Sequence, residues 1–160
     1  MNEKILNIIN LLKKNNATIT TVESCTGGRL AAQITAVPGA SNVFPGAVVT
    51  YQTWVKEKLI GVKHNTIQEH DVVSEEVAVE MVKGGCKLMN SQFAVAVTGY
   101  AGPDGGTDNI PVGTIWIACG SKNKTYTKCL NLGNDRIHNL NVATETAIDM
   151  LCEFVYDALN

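Results

Sequence analysis

The alternation of short apolar runs with helical spacing constrains the fold of this chain more than any other feature. Residues 18–22, 46–51 and 92–98 are rich in Val, Ala and Thr, and the last two runs are almost continuously apolar. Between them the apolar positions recur at helical spacing: Leu30, Ala31, Ala32 and Ile34, then Val55, Leu59 and Ile60, then Val77, Met81, Val82 and Leu88. A helix joining two strands of one sheet demands a parallel crossover. Two later runs, 112–119 and 124–131, are separated only by Gly120-Ser121-Lys122-Asn123, which predicts an antiparallel hairpin. The pattern therefore predicts an α/β fold, a three-layer α/β/α sandwich with a mixed, mostly parallel sheet of about five strands. The apolar run 46–51 is expected to be a central strand buried on both faces.

The remaining elements follow from spacing and capping. Ile5, Ile8, Ile9 and Leu12 predict an opening amphipathic helix over residues 2–15, and further helices are expected over 27–36 and 65–70. Ser41–Phe44 reads as one helical turn after Val37-Pro38-Gly39-Ala40. Ser74 caps a helix over 74–89, with Glu75 and Glu76 in the first turn where the helix dipole favours acids. Asn134 or Asp135 caps a long last helix, with Ile137, Leu140, Ala147, Leu151 and Val155 on its apolar face. No repeat, linker or low-complexity segment divides the 160 residues, so residues 1–160 are expected to form a single domain.

Composition removes several classes of function. The net charge is −2, the longest basic run is Lys13-Lys14, and aromatic residues are 6% of the chain, so no nucleic acid partner is expected. No apolar run approaches the roughly 18 residues of a membrane span, so no membrane partner is expected either. The charged start, Met1-Asn2-Glu3-Lys4, offers no signal-peptide core. Cys25, Cys86, Cys119, Cys129 and Cys152 are odd in number and scattered without a C-x-x-C, as in a cytoplasmic protein with reduced thiols. His64, His70 and His138 have no metal-ligand spacing with each other or with a Cys, so neither a metal nor a cofactor is expected.

Chemistry is expected beyond the carboxyl ends of the strands, where open α/β sheets gather ligands. The first such junction is Thr20-Thr21-Val22-Glu23-Ser24-Cys25-Thr26-Gly27-Gly28, a strand entering a helix through a tight turn. It offers free backbone N–H groups for an anion and three candidate nucleophiles, Ser24, Cys25 and Thr26, beside Glu23. A second junction is Tyr51–Lys56. The third is the glycine-rich loop from Thr98 and Gly99 to Asn109, whose G-x-x-G-x-x-G is neither a dinucleotide fingerprint nor a phosphate-binding Walker loop. No G-x-S-x-G elbow is present, and no His lies near Ser24 or Cys25 in sequence.

Thr-Val-Glu-Ser-Cys-Thr-Gly-Gly is followed in order by Val-Pro-Gly-Ala-Ser, Val-Thr-Tyr with Lys56 five residues on, Val-Val-Ser-Glu, Thr-Gly-Tyr-Ala-Gly-Pro-Asp-Gly-Gly, Pro-Val-Gly-Thr-Ile-Trp and Gly-Asn-Asp-Arg. From about residue 5 to its end the chain thus resembles the CinA C-terminal domain family, in the form without the N-terminal domain of longer relatives. The resemblance implies a nicotinamide-nucleotide amidase that converts nicotinamide mononucleotide to nicotinic acid mononucleotide and ammonia without a metal. It also implies a Ser/Lys dyad with an acyl-enzyme intermediate. On the matching positions Ser41 is the nucleophile, Lys56 the base and Ser24 a supporting donor. Tyr51, Thr98 and Gly99 line the substrate pocket, Gly27 and Gly28 present backbone to an anion, and Arg136 binds the phosphate. The partner is then a small-molecule nucleotide, with a homodimer as the family-level expectation. The alternatives are a catalytically silent nucleotide-binding or regulatory module linked to competence or DNA damage, and an amidase for another pyridine amide.

These roles make physical demands. Lysine is a base only when neutral, so the amine of Lys56 must fall from its usual pKa of about 10.4 to roughly 7–8 through desolvation or a neighbouring cation. For Ser41 to reach Lys56, the chain must turn back over a strand roughly 20 Å long. Gln52-Thr53-Trp54-Val55 also stands where many relatives carry Ser/Thr-Asn-Glu-Ala, and the bulk of Trp54 is expected to reshape the pocket.

Overall fold

The structure is a computed structural model that describes residues 3–160. The chain forms α1 (Glu3–Lys14), β1 (Ile19–Glu23), α2 (Arg29–Thr35), a single 3-10 turn at Ala40–Asn42, β2 (Ala47–Val49), α3 (Thr53–Ile60), α4 (His64–His70) and α5 (Glu75–Met89). There follow β3 (Phe93–Gly99), β4 (Thr114–Gly120), β5 (Thr125–Asn131) and α6 (Arg136–Leu159). The expected first helix began at residue 2, which lies outside the described residues. Among the described residues no helix is long and apolar enough to cross a membrane.

One five-stranded sheet runs in the order β2-β1-β3-β4-β5. β1 pairs in parallel with β2 and β3, and the β3-β4 and β4-β5 pairs are antiparallel. β1, β2, β3 and β5 therefore point the same way and β4 runs against them, a mixed, mostly parallel sheet as expected. Strand alternation divides the core into two layers. Ile19, Val95, Val97, Ile115 and Ile117 pack against α1, α2 and α6 on one face. Val22, Ala94, Ala96 and Ala118 meet α5 and the end of α3 on the other. The alanines of β3 and Gly85 allow α5 to lie close against the sheet, since a Cβ at Gly85 would collide with Val22, and Gly84 lets α5 approach the Ile60 carbonyl at the end of α3.

The run 46–51 departs from its expected place. It contributes only the three-residue edge strand β2, and Val49 is 46% exposed. β1 and β3 pair directly, so β2 has a neighbour on one side only. Thr50 adds one more ladder bond, its N–H donating to the Glu23 carbonyl at 2.7 Å, before the chain turns into α3. The apolar run reflects Val48, buried in the layer that includes α5, and Ala47, partly buried against the other layer, at an edge rather than a central position.

β1, β2 and β3 all end on the same edge of the sheet, as the register Glu23 beside Val49 and Val97 requires. The segments leaving these three strands converge there.

Candidate active site

A cavity of about 220 Å³ opens beyond this edge. β1 delivers Ser24 and Cys25 to it, the segment after β2 delivers Tyr51, Thr53 and Lys56, and β3 delivers Thr98, Gly99 and Tyr100. Arg136 reaches it from the first position of α6, and Val72 with Val73 forms a wall just before α5.

Lys56 is the largest polar side chain in the interior, 1% exposed. Its Nζ donates to the Thr50 carbonyl at 2.6 Å and to the Ser24 Oγ at 2.9 Å. No carboxylate meets it. Desolvation therefore dominates and lowers its pKa to about 8 from the usual 10.5. With one hydrogen held by Thr50, a neutral amine can turn its lone pair to the serine hydroxyl.

The other two candidate nucleophiles of this turn are less suited. The Cys25 thiol lines the cavity, but burial raises its pKa to about 11, and its own backbone N–H, Lys56, Arg136 and the Thr26 N–H offset this only in part. It stays a thiol at neutral pH, a poor nucleophile. The Thr26 hydroxyl is buried without a hydrogen-bond partner and does not face the cavity.

Ser41 is not brought to Lys56. It lies exposed on the 3-10 turn, and its hydroxyl makes no hydrogen bond. Two residues later the Val43 carbonyl accepts from the N–H of Ile19, the first residue of β1. Ser24 follows the last residue of the same strand. The two serines thus stand at opposite edges of the sheet, roughly 15 Å or more apart along β1. The chain turns back over the strand end, as a dyad requires, but it carries Lys56 to Ser24.

Gly27 and Gly28 also depart from expectation, because they do not face the cavity. They hold left-handed backbone, φ 58° and 101°, which bends the chain from β1 into α2. The donors at the start of α2 are taken by the protein itself. Glu23, fully buried, receives the N–H groups of Gly28 and Leu30 on Oε2 and of Ala31 on Oε1, at 2.9, 3.1 and 2.9 Å. The turn that looked ready for a substrate anion already contains one.

Arg136 is held in place at the cavity. Its guanidinium donates to the Gly102 carbonyl at 2.8 Å and to the Tyr51 hydroxyl at 3.0 Å, which leaves further donors of its fork for a ligand. Thr98 lines the cavity while its hydroxyl donates to the Val72 carbonyl at 2.9 Å. Trp54 is 61% exposed and points away, so it is Thr53, not the indole, that borders the cavity.

Two groups were not anticipated from sequence. Asp71 sits at φ 73°, ψ 158°, a conformation rare outside glycine. Its Oδ1 accepts from the Val73 N–H at 2.9 Å and from the Tyr100 hydroxyl at 3.0 Å, fixing the Val72-Val73 wall against β3. Burial, together with the Asp71 carboxylate, pushes the Tyr100 phenol up to about 12, so it remains a neutral donor. The Thr50 carbonyl that anchors Lys56 is backbone, and no side-chain motif announces it.

The profile of the CinA C-terminal domain matches residues 2–155. The chain belongs to the CinA C-terminal domain family. Among its relatives are a CinA-like protein of Fervidobacterium nodosum, 44% identical over 144 residues, and a CinA-like protein of Amoebophilus asiaticus, 40% identical over 144 residues. Each alignment covers 90% of this chain but 35% of the relative, so the chain spans about a third of the length of these proteins. Solved CinA structures superpose over almost their whole length. The competence damage-inducible protein A of Klebsiella pneumoniae is 34% identical with a TM-score of 0.88, covering 94% of both chains. The competence/damage inducible protein of Agrobacterium tumefaciens is 33% identical with a TM-score of 0.89, covering 94% of this chain and 93% of its own. The open mixed sheet is thus a CinA fold.

Proposed function

We propose that this CinA-family chain is an amidohydrolase acting on a nicotinamide nucleotide, with Ser24 rather than Ser41 as the nucleophile. The observation that carries the proposal is the 2.9 Å contact between Lys56 Nζ and Ser24 Oγ in a cavity that holds the lysine pKa near 8.

In the proposed reaction, neutral Lys56 takes the hydroxyl proton while Ser24 Oγ forms a bond to the carboxamide carbon. The N–H groups of Cys25 and Thr26, which meet the Cys25 sulfur rather than an oxygen, are the amides of the turn assigned to the oxyanion. The lysine ammonium then passes its proton to the amide nitrogen, the C–N bond breaks, and ammonia leaves an ester on Ser24. Water attacks the ester with Lys56 again as base, releasing the carboxylate and restoring the serine. One water is consumed and one ammonia released, with no change of oxidation state.

The rest of the cavity supports a nucleotide of this class. Val72, Val73 and Tyr100 offer an apolar and aromatic surface for a pyridine ring, and Arg136 offers a fixed guanidinium for the phosphate. Ammonia release from nicotinamide mononucleotide, measured for the wild type, Ser24→Ala and Ser41→Ala, tests the reading. Release should vanish in Ser24→Ala and persist in Ser41→Ala. An inactive wild type would reject this substrate, and an active Ser24→Ala would reject the nucleophile.

A further inference from the structure

We propose that Glu23 is a positioning residue whose buried carboxylate sets the turn that aims the Ser24 hydroxyl at Lys56. The proposal rests on the reading of Ser24 as nucleophile and extends it to a group that does not touch the cavity.

Glu23 is the last residue of β1, and its side chain is 0% exposed. Four donors converge on it. Oε1 receives the Thr21 hydroxyl at 3.1 Å and the Ala31 N–H at 2.9 Å, while Oε2 receives Gly28 and Leu30 as described above. A buried carboxylate costs several kcal/mol unless its oxygens are satisfied, and here each oxygen has two donors. Three of them are backbone amides of the N-cap, Gly28, and of the first turn of α2, where the dipole favours negative charge. The chain between Glu23 and Gly28 is a four-residue loop tied at both ends, and Ser24 is its first member. The Ser24 N–H donates to the Val97 carbonyl at 3.0 Å, and the Ser24 carbonyl accepts from Gly27 at 3.1 Å. With sheet and helix fixed through Glu23, the serine backbone has little freedom.

The same residue reaches the base through its main chain. The Glu23 carbonyl accepts from the Thr50 N–H, and the Thr50 carbonyl accepts from Lys56 Nζ. Nucleophile and base are thus held from one residue, the former through its side chain and the latter through its peptide. A small displacement of a reacting atom is enough to lower a rate by roughly 10²-fold.

The test uses Glu23→Gln, which keeps the shape but turns an amide NH₂ toward N–H groups that need an acceptor. Two readouts are taken on protein shown to be folded by circular dichroism: steady-state ammonia release, and the rate of Ser24 labelling by a fluorophosphonate probe. A positioning role predicts a fall of roughly 10²-fold in kcat with KM within about threefold, and a matching fall in labelling rate. Folded Glu23→Gln with wild-type kcat and labelling overturns the proposal. Where Glu23→Gln does not fold, Thr21→Val decides, because it removes one donor and keeps the carboxylate. A several-fold fall in kcat and labelling at unchanged KM supports positioning, and wild-type values overturn it. Ser24→Ala in the same assays separates the two layers. If it remains active, the nucleophile is wrong; if it is dead while Glu23→Gln behaves as wild type, only the role of Glu23 is wrong. The labelling arm does not depend on the identity of the substrate.

Discussion

Ser24 and Ser41 have similar local sequence settings but occupy opposite edges of one sheet. Each is a small hydroxyl residue near glycine, close to the start of a helical turn. Ser24 leaves the carboxyl end of β1, is 8% exposed and meets a desolvated amine. Ser41 precedes the amino end of β2 and faces solvent. The difference teaches that strand polarity, not local motif, sorts loops into site and non-site. In parallel neighbours every segment that follows a strand arrives at one edge, and every segment that precedes a strand starts from the other. Lys56 follows β2, so its partner comes from a segment that reaches the same edge, as those after β1, β3 and β5 do, and not from one that precedes β2.

The largest expected effect is the one that could break this comparison. Ser24→Ala should lower kcat by at least roughly 10³-fold, while Ser41→Ala stays within about twofold, both read as ammonia release. The opposite outcome would place the chemistry at the edge where the one neighbouring lysine, Lys13, is exposed rather than desolvated. Lys56→Met comes next and separates activity from stability. It should cost roughly 10²–10⁴-fold in kcat, the range for losing a general base. It should also raise the unfolding free energy at neutral pH by about 1–2 kcal/mol, because it removes a buried amine whose protonation is disfavoured. The unprotected Thr50 carbonyl offsets part of that gain. The sign follows from linkage. The folded pKa is about 8 and the unfolded value is 10.5, so the unfolded chain binds more protons between these limits. The stability advantage of Lys56→Met is therefore complete below about pH 8 and fades as pH rises toward 10.5. Urea titrations at pH 7 and pH 10 check it; an equal advantage at both values would refute the desolvation account.

Much of the fold was legible because periodicity reports burial directly. Ile5, Ile8, Ile9 and Leu12 marked α1, and Ser74 was found as the cap of α5 with its hydroxyl accepting from Val77. Asp135 likewise caps α6. The position of β2 was not legible, since a run such as 46–51 reads the same whether its strand is paired on both sides or on one. The site was legible as a neighbourhood. Glu23–Gly28, Tyr51–Lys56 and Thr98 onward do converge, and Lys56, Tyr51, Thr98, Gly99 and Arg136 all line the cavity. The pairing within it was less accessible. The resemblance made Ser41 the nucleophile and Ser24 its support, although the predicted parallel crossover from β1 to β2 already contained the rule that favours Ser24 as the neighbour of Lys56. Glu23 was hidden for another reason. A carboxylate beside a glycine turn reads as catalytic equipment, and only the coordinates show its oxygens spent on amides of α2.

The third effect concerns binding and again contrasts the two edges. Arg136→Gln should raise KM for nicotinamide mononucleotide by roughly 10- to 100-fold with little change in kcat, because a charge-assisted contact to the phosphate is lost in ground and transition states alike. Lys13, a cation beside Gly39 at the Ser41 edge, serves as the matched control, and Lys13→Gln should leave KM unchanged. The riboside, which lacks the phosphate, should be insensitive to Arg136→Gln. If riboside and nucleotide suffer equally, Arg136 serves the cavity through its bonds to Gly102 and Tyr51 rather than through the phosphate.

The smallest effect is a pH profile, and it sharpens the comparison without any mutation. Lys56 acts as base only in its neutral form, and with a pKa of about 8 roughly a tenth of the molecules are neutral at pH 7. kcat/KM should therefore rise about tenfold from pH 7 to pH 9 and level off above the midpoint. The slope is positive because deprotonation creates the active form; a carboxylate base would already be at its plateau by pH 7. A solvated lysine beside Ser41 would give a midpoint near the ordinary value of about 10.4, with almost no neutral amine at pH 7. The position of the midpoint thus reports which environment the base occupies. A midpoint near 8 requires the desolvated cavity at the carboxyl ends of β1 and β2, where Ser24 is the hydroxyl within reach.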